Sequence, residues 1–326
     1  MRGGVLAVAT SPAIDRISLG RGGVAEGIIR ATEALETAGG KAIHAAMVAR
    51  ALGARTHLVA PVGGRRGELL NDLLDTEGIE STLVAVAAET RATHTLVDAD
   101  LGDLVEIHDP PAALRPAECD ALVSAAREKA CFASVAVIAG GLPPGAPPDL
   151  HARLVSNARA CGTFTIVDSS NPEALELALR ANPDLVKPNR AELSALLSDS
   201  VAPDRDAPLS VLAGLAERLR ERGPGAVWLS LGRRGSVLAS GAGRLHFNAP
   251  GDRVVNAVGC GDALAGGLAA GVARGLDLPD SAALGVAAAA DKLGRLHSGR
   301  VDSAGVERLL AQVERVPVPA EAAVRQ

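Results

Sequence analysis

Short apolar runs, each halted by a turn and followed by a stretch of helical period, recur along this chain. That rhythm restricts the fold more than any other feature. Residues 5–10 are such a run, stopped at Ser11-Pro12. Helical spacing takes over from Ala42 to Leu52 and ends at Gly53. Residues 57–62 form the next strand candidate, and residues 69–77 the next helix, closed by Gly78. The alternation resumes with a helix over 116–130, a strand over 134–139, a helix over 149–160, a strand over 163–168 and a helix over 172–181. A short strand at Leu185-Val186, a helix opening near Glu192, a helix reaching about Arg222 after a polar loop at 199–207, and a strand over 225–230 continue it. A last alanine-rich helix spans about 281–293. The pattern specifies an α/β protein.

Two segments break the rhythm. Residues 90–97 are rich in Thr and roughly alternate, and residues 104–108 repeat the pattern after a turn at 100–103. A hairpin this small needs further strands or a packing partner, and residues 14–30 are placed to supply them. The expectation is a single domain over 1–312 carrying a small inserted β-sheet, with lid strands within about 14–30 and 88–108. Residues 313–326 read as a peripheral C-terminal segment.

Aromatic residues are only 1% of the 326, so the core must be built from Ala, Val and Leu. A net charge of -5 argues against a general nucleic-acid binder. No apolar run is long enough for a membrane span, and no signal segment opens the chain. Cys119, Cys131, Cys161 and Cys260 lack paired metal spacing. They read as reduced, mostly buried thiols, and the expected location is cytoplasmic.

The chemistry concentrates in residues 254–267. A short apolar run meets Gly259-Cys260-Gly261-Asp262, which opens a helix of small residues. A helix N-terminus offers unpaired N–H groups to an anion, and glycines let the backbone come close. Asp262 beside such a site suits phosphoryl transfer, with amides steadying the moving charge and a carboxylate taking the acceptor's proton. The same residues also make a plain acidic helix cap. Asp15, at the carboxyl end of the first strand, is well placed to meet a ligand. Gly39-Gly40-Lys41 precedes a helix that carries His44 one turn in, but this is not the Walker pattern.

Six motifs in order carry a resemblance that runs along nearly the whole chain. They are Ser11-Pro12-Ala13-Ile14-Asp15, Gly39-Gly40-Lys41-Ala42-Ile43-His44, Gly140-Gly141-Leu142-Pro143-Pro144-Gly145, Lys187-Pro188-Asn189-Arg190-Ala191-Glu192, Ser230-Leu231-Gly232-Arg233-Arg234-Gly235 and Gly259-Cys260-Gly261-Asp262. The chain resembles the ribokinase-like (pfkB) carbohydrate kinases, most closely the branch of 1-phosphofructokinase and tagatose-6-phosphate kinase. The resemblance implies a three-layer α/β/α sandwich with a small β-sheet lid, and ATP-dependent phosphorylation of a sugar phosphate such as fructose 1-phosphate.

By that resemblance Asp262 is the base, with Gly259 in the same catalytic turn and the amides of Cys260, Gly261 and Asp262 around the transferred phosphoryl group. Asp15, Gly39, Gly40, His44 and Gly141 meet the sugar, and Arg30, Lys41 and Arg91 meet its phosphate. Lys187, Asn189, Ser230, Gly232, Gly235 and Asn256 lie along ATP. Glu192 and Asn189 organise Mg²⁺, through water. A homodimer through the lid is implied, with no nucleic acid or membrane partner. The departures lie at the sugar end: His44 stands where the family has Asn, Ala42 where it has Gly, and Gly141 where it has Ser. A kinase for an unphosphorylated sugar or nucleoside, and a non-enzymatic sugar-phosphate sensor, are the alternatives. A dinucleotide oxidoreductase is disfavoured because no glycine fingerprint follows the first strand.

Overall fold

The computed structural model describes residues 3–21, 30–98, 104–197, 204, 206–251 and 253–319. The chain runs β1 (Val5–Ala9), β2 (Ala13–Arg21), β3 (Arg30–Gly39), α1 (Lys41–Ala51), β4 (Thr56–Val62), α2 (Gly64–Thr76), β5 (Glu80–Ala85), β6 (Arg91–Asp98) and β7 (Leu104–His108). It continues as α3 (Pro116–Ala130), β8 (Val135–Ala139), α4 (Leu150–Ala160), β9 (Phe164–Asp168), α5 (Pro172–Arg180), β10 (Leu185–Val186), α6 (Arg190–Leu197) and α7 (Leu209–Arg220). It closes with β11 (Ala226–Ser230), β12 (Ser236–Ser240), β13 (Gly243–Phe247), α8 (Cys260–Ala273), α9 (Leu278–Leu293), α10 (Ser303–Leu310) and β14 (Arg315–Pro317).

The main sheet has the order β14-β13-β12-β11-β10-β9-β8-β1-β4-β5. Every pairing from β11 to β5 is parallel, and the three pairings from β11 out to β14 are antiparallel. One face is covered by α1, α2, α8, α9 and α10, the other by α3 to α7, which makes three layers with a core on each side of the sheet. The central strands β1 and β8 are buried along their whole length, as strands covered on both faces must be. No helix among the described residues is long and apolar enough to cross a membrane.

Small residues set the helix spacing on the α8 side. A Cβ on Gly267 would lie 2.7 Å from the Gly285 Cα, and one on Gly266 would lie 2.5 Å from the Ala45 carbonyl oxygen. The backbones of α1, α8 and α9 therefore approach each other closely, and Ala and Gly fill the space that aromatic side chains would occupy elsewhere.

The inserted segments form a separate four-stranded sheet in the order β3-β2-β6-β7. Its strands reach further than the sequence indicated. β3 spans Arg30–Gly39, beyond the expected 14–30 window, and its exposed outer part shows no apolar alternation by which the sequence could mark it. The hairpin turn expected at 100–103 lies outside the described residues, as does most of the polar loop at 199–207. Within 313–326, Arg315–Pro317 pairs with β13 as the last edge strand, and Val318 is buried.

The cysteines depart from the expectation of reduced, mostly buried thiols. Cys131 and Cys161 are joined by a disulfide, and only Cys119 is buried. Each bonded cysteine sits just past the C-terminus of its helix, α3 or α4, and the sheet places those two ends side by side. A separation of 30 residues carries no hint of that adjacency.

Candidate active site

The carboxyl ends of the parallel strands converge on one region. β1 delivers Thr10, β8 delivers Gly140 and Gly141, β9 ends in Asp168, β10 leads into Lys187, and β11 ends in Ser230. This is where an open α/β sheet gathers its ligands. Thr10 Oγ1 donates to the Gly141 carbonyl at 2.8 Å, holding the β8 loop in place.

Gly259 caps α8 with φ 83, a left-handed conformation open to glycine at little cost, and a Cβ there would meet the Ser298 carbonyl at 2.4 Å. The Cys260 N–H donates to the Ala257 carbonyl at 3.3 Å. The amides left for an anion are therefore those of Gly261 and Asp262, and Cys260 drops out of the expected set. Lys187, itself buried, sits beside this helix start: a Cβ on Gly261 would lie 3.4 Å from its Nζ. The result is an anion cradle of amides, a helix dipole and an ammonium.

Asp168 anchors two cations. Its carboxylate is 2.9 Å from Lys187 Nζ and 2.8 Å from Lys41 Nζ. Burial pushes the Asp168 carboxyl up, but the two lysines outweigh it and hold it below the usual range. Burial pushes the Lys41 ammonium down, and Asp168 followed by Glu192 and Asp262 more than reverses that. Lys41 thus faces the β9–β10 side rather than Arg91.

Asp15 lies on β2 and accepts from Thr93 Oγ1 at 2.5 Å. Its carboxylate rests against Gly39, where a Cβ would come within 2.1 Å and displace it. His44 reaches both acids: Nδ1 is 2.8 Å from Asp262 Oδ2, and Nε2 is 2.9 Å from Asp15 Oδ2. Burial alone would push the imidazole down, but the two carboxylates push it up to about 10.

Arg91 pairs in register with Ala13 at the root of the small sheet. It is half-buried, with its Nε unpartnered, and a long contact of 3.5 Å to the Ser11 carbonyl. Burial lowers the guanidinium against the pull of Asp15 and Asp109. Arg30 is not brought to this place. It is exposed opposite Arg21, seven residues along β3 from Thr37, which faces Asp15. At about 3.3 Å per residue that is about 23 Å away.

Asn189 and Glu192 form a reciprocal cap of α6. Asn189 Oδ1 accepts from the Glu192 N–H at 2.9 Å, and Glu192 Oε2 accepts from the Asn189 N–H at 2.8 Å. Only Glu192 Oε1, 4.0 Å from Lys41 Nζ, remains turned toward the site. No three His, Cys, Asp or Glu among the described residues converge as a metal cage. Asn189 does not fit as a metal ligand; Glu192 fits a contact through water.

Asn256 is also corrected. It is 1% exposed, with Oδ1 accepting from the Val258 N–H and Nδ2 donating to the Leu296 carbonyl, so it braces the turn before α8 instead of facing a nucleotide. Lys292, fully buried on α9, braces the same turn by donating to the Asn256 carbonyl at 2.6 Å. Ser230, Gly232 and Gly235 remain together at the end of β11. Gly235 has φ 78, and a Cβ there would strike the Phe247 carbonyl, so that turn needs glycine.

The pattern of the pfkB family carbohydrate kinases matches residues 9–299. The chain belongs to that family. It is 34% identical over 291 residues to 1-phosphofructokinase of Haloferax volcanii, covering 89% of this chain and 91% of that one. It is 32% identical over 284 residues to ATP-dependent 6-phosphofructokinase isozyme 2 of Escherichia coli, covering 85% and 88%. Among solved structures it is similar to phosphofructokinase-2 from Escherichia coli in complex with substrates and products, with a TM-score of 0.85, 28% identity and coverage of 94% and 98%. As a carbohydrate kinase it takes ATP as phosphoryl donor. Of the residues that touch the expected site residues here, Asp168 and Thr93 were not singled out in the sequence. The only signal for Asp168 was that an apolar strand ends in an acid. Thr93 showed none beyond its place in a Thr-rich strand.

Proposed function

We propose that this kinase transfers the γ-phosphoryl group of ATP to a free hydroxyl of a sugar phosphate, fructose 1-phosphate or a related ketohexose phosphate. The observation that carries the acceptor class is Arg91: a half-buried guanidinium with an unpartnered Nε, next to the Asp15 expected to meet the sugar. A half-buried cationic fork near Asp15 and Asp109 but locked to neither in an ion pair suits a phosphate.

In this reading Asp262 accepts the proton of the attacking hydroxyl. The new oxygen–phosphorus bond forms as the bond from the γ-phosphorus to the bridging oxygen breaks, and ADP departs. The Gly261 and Asp262 amides and the Lys187 ammonium stabilise the charge on the transferred group. The turn from Gly232 to Gly235 lies along the nucleotide. Glu192 Oε1 is the carboxylate oxygen that would hold a Mg²⁺ through water, and that ion would supply neutralisation of the phosphate charge. The small sheet acts as a lid over the sugar and as the face of a homodimer.

A kinase for a neutral sugar is the second reading. It is favoured by Lys41, which turns to Asp168, and by the distance of Arg30. The two are separated by kcat/KM for fructose 1-phosphate, fructose 6-phosphate, tagatose 6-phosphate and free fructose, followed as ADP formation. A preference for a phosphorylated acceptor is expected; a preference for free fructose overturns the first reading.

A further inference from the structure

His44, one turn into α1, is 4% exposed. Its ring spans the gap between β2 and α8, with one nitrogen within 2.9 Å of a carboxylate oxygen on each side. An ionised carboxylate offers only lone pairs. A neutral imidazole has a single N–H, so one of its nitrogens would turn a lone pair toward a carboxylate at contact distance. A doubly protonated ring removes that repulsion on both sides. The Nδ1 contact is a hydrogen bond, whereas the Nε2 contact is an ion pair that is close without being in line.

The two carboxylates around His44 support the charged ring, Asp15 from β2 and Asp262 from α8. Lys41, on the same helix, carries charge of the opposite effect but is paired with Asp168. His297 comes from the loop after α9. The Gly299 N–H donates to His297 Nδ1, so that ring's own proton belongs on Nε2 and it stays neutral, with burial as the main cause and Arg300 and His44 adding to it. A Cβ on Gly299 would come 3.1 Å from His44 Cδ2, so the backbone of this loop seats the ring. Asp15 is fixed in turn by Thr93 and by the absence of a side chain at Gly39.

We propose that His44 is a positioning residue rather than a sugar ligand, an imidazolium clamp that holds Asp262 by Oδ2 and leaves Oδ1 to the acceptor hydroxyl. The chain Thr93–Asp15–His44–Asp262 orients the base from the root of the small sheet, as a third group orients the base in other catalytic constellations. The proposal rests on the kinase reading for the role of Asp262, but the protonation state of His44 can be measured without any substrate.

Two measurements on the full chain decide it. The first is nitrogen-15 NMR of the wild-type protein with labelled histidine, the seven histidines being resolved by loss of one signal in His44→Gln. Both His44 nitrogens should show the protonated, imidazolium shift at pH 8; a neutral ring at that pH overturns the clamp. The second is steady-state kinetics of His44→Asn and His44→Gln with the best ketohexose phosphate. A displaced base predicts a fall in kcat of roughly 10–10²-fold with sugar KM little changed. A raised KM at unchanged kcat makes His44 a sugar ligand and overturns the proposal. If no hexose phosphate is turned over, the substrate reading fails by itself and the NMR result alone decides His44.

Discussion

Asp262 stands at the meeting point of the amide cradle and the His44 contact, and its chemistry can be tested directly. Asp262→Asn should keep the fold and lower kcat by roughly 10²–10⁴-fold, the range for a positioned general base. Near-normal turnover of folded protein would remove it from that role. His44 adds a pH signature. Its folded value is raised from 6.5 to about 10, so its stabilising contribution is full below about 6.5 and lost as pH rises toward about 10. Asp15 is held below its ordinary 3.8, His44 overcoming the opposite effect of burial, so its share is lost only in acid. The melting-temperature advantage of wild type over His44→Gln should therefore shrink between pH 6 and pH 10; a constant gap would contradict the charged contact. The turns that carry Asp262 and Lys187 were legible because short motifs mark strand and helix ends; Asp15 was expected at the end of the first strand but lies inside β2 of the small sheet. Asn256 was misread because its motif position says nothing of where its amide points. Lys41 was misread because its partner, Asp168, is 127 residues away.

At the scale of elements, the α/β alternation was legible because covered strands are continuously apolar and helices carry caps and glycine stops. β13 and β14 were not, since strands at one edge of the sheet need not be apolar, and β14 is exposed throughout. The cap of α6 separates two roles that sequence alone left together. Asn189→Ala removes an N-cap acceptor and should cost about 1 kcal/mol, or about 2 °C in melting temperature for a chain of this size. Glu192→Gln keeps an acceptor for the Asn189 N–H and should melt as wild type does. If the Glu192 charge serves the metal, the same variant should need more Mg²⁺ for half-maximal activity. An unchanged Mg²⁺ titration would leave Glu192 as a capping residue only. For the phosphate end of the small sheet, Arg91→Ala should lower kcat/KM for a sugar phosphate by roughly 10–10³-fold, from a few kcal/mol of lost charged contact. It should affect a neutral sugar far less; equal losses on both would end the phosphate-reading role.

For the whole molecule, the small sheet has two unlike faces. Asp15, Ile17, Thr93, Thr95 and Val97 are buried on the side that bears the site. On the other side Val105 is 37% and Ile107 62% exposed, in register with Leu96 and His94. The Arg16–Glu36 ion pair lies on the same face as that strip. A small sheet that leaves Val105 and Ile107 open on its outer face is a weak unit alone, and a second copy of the same face would cover them with twofold symmetry. The same strands hold Asp15 and Thr93, so covering the outer face also steadies the root from which His44 reaches the base. Ile107→Lys places a charge at the centre of that contact. Wild type should sediment as a dimer at micromolar concentration, and the variant should shift toward monomer. The variant's sugar-phosphate KM should rise because its lid strands are less firmly held. Wild type that sediments as a monomer, or a variant that remains fully dimeric, would move any interface away from this sheet and leave the lid to act within one chain.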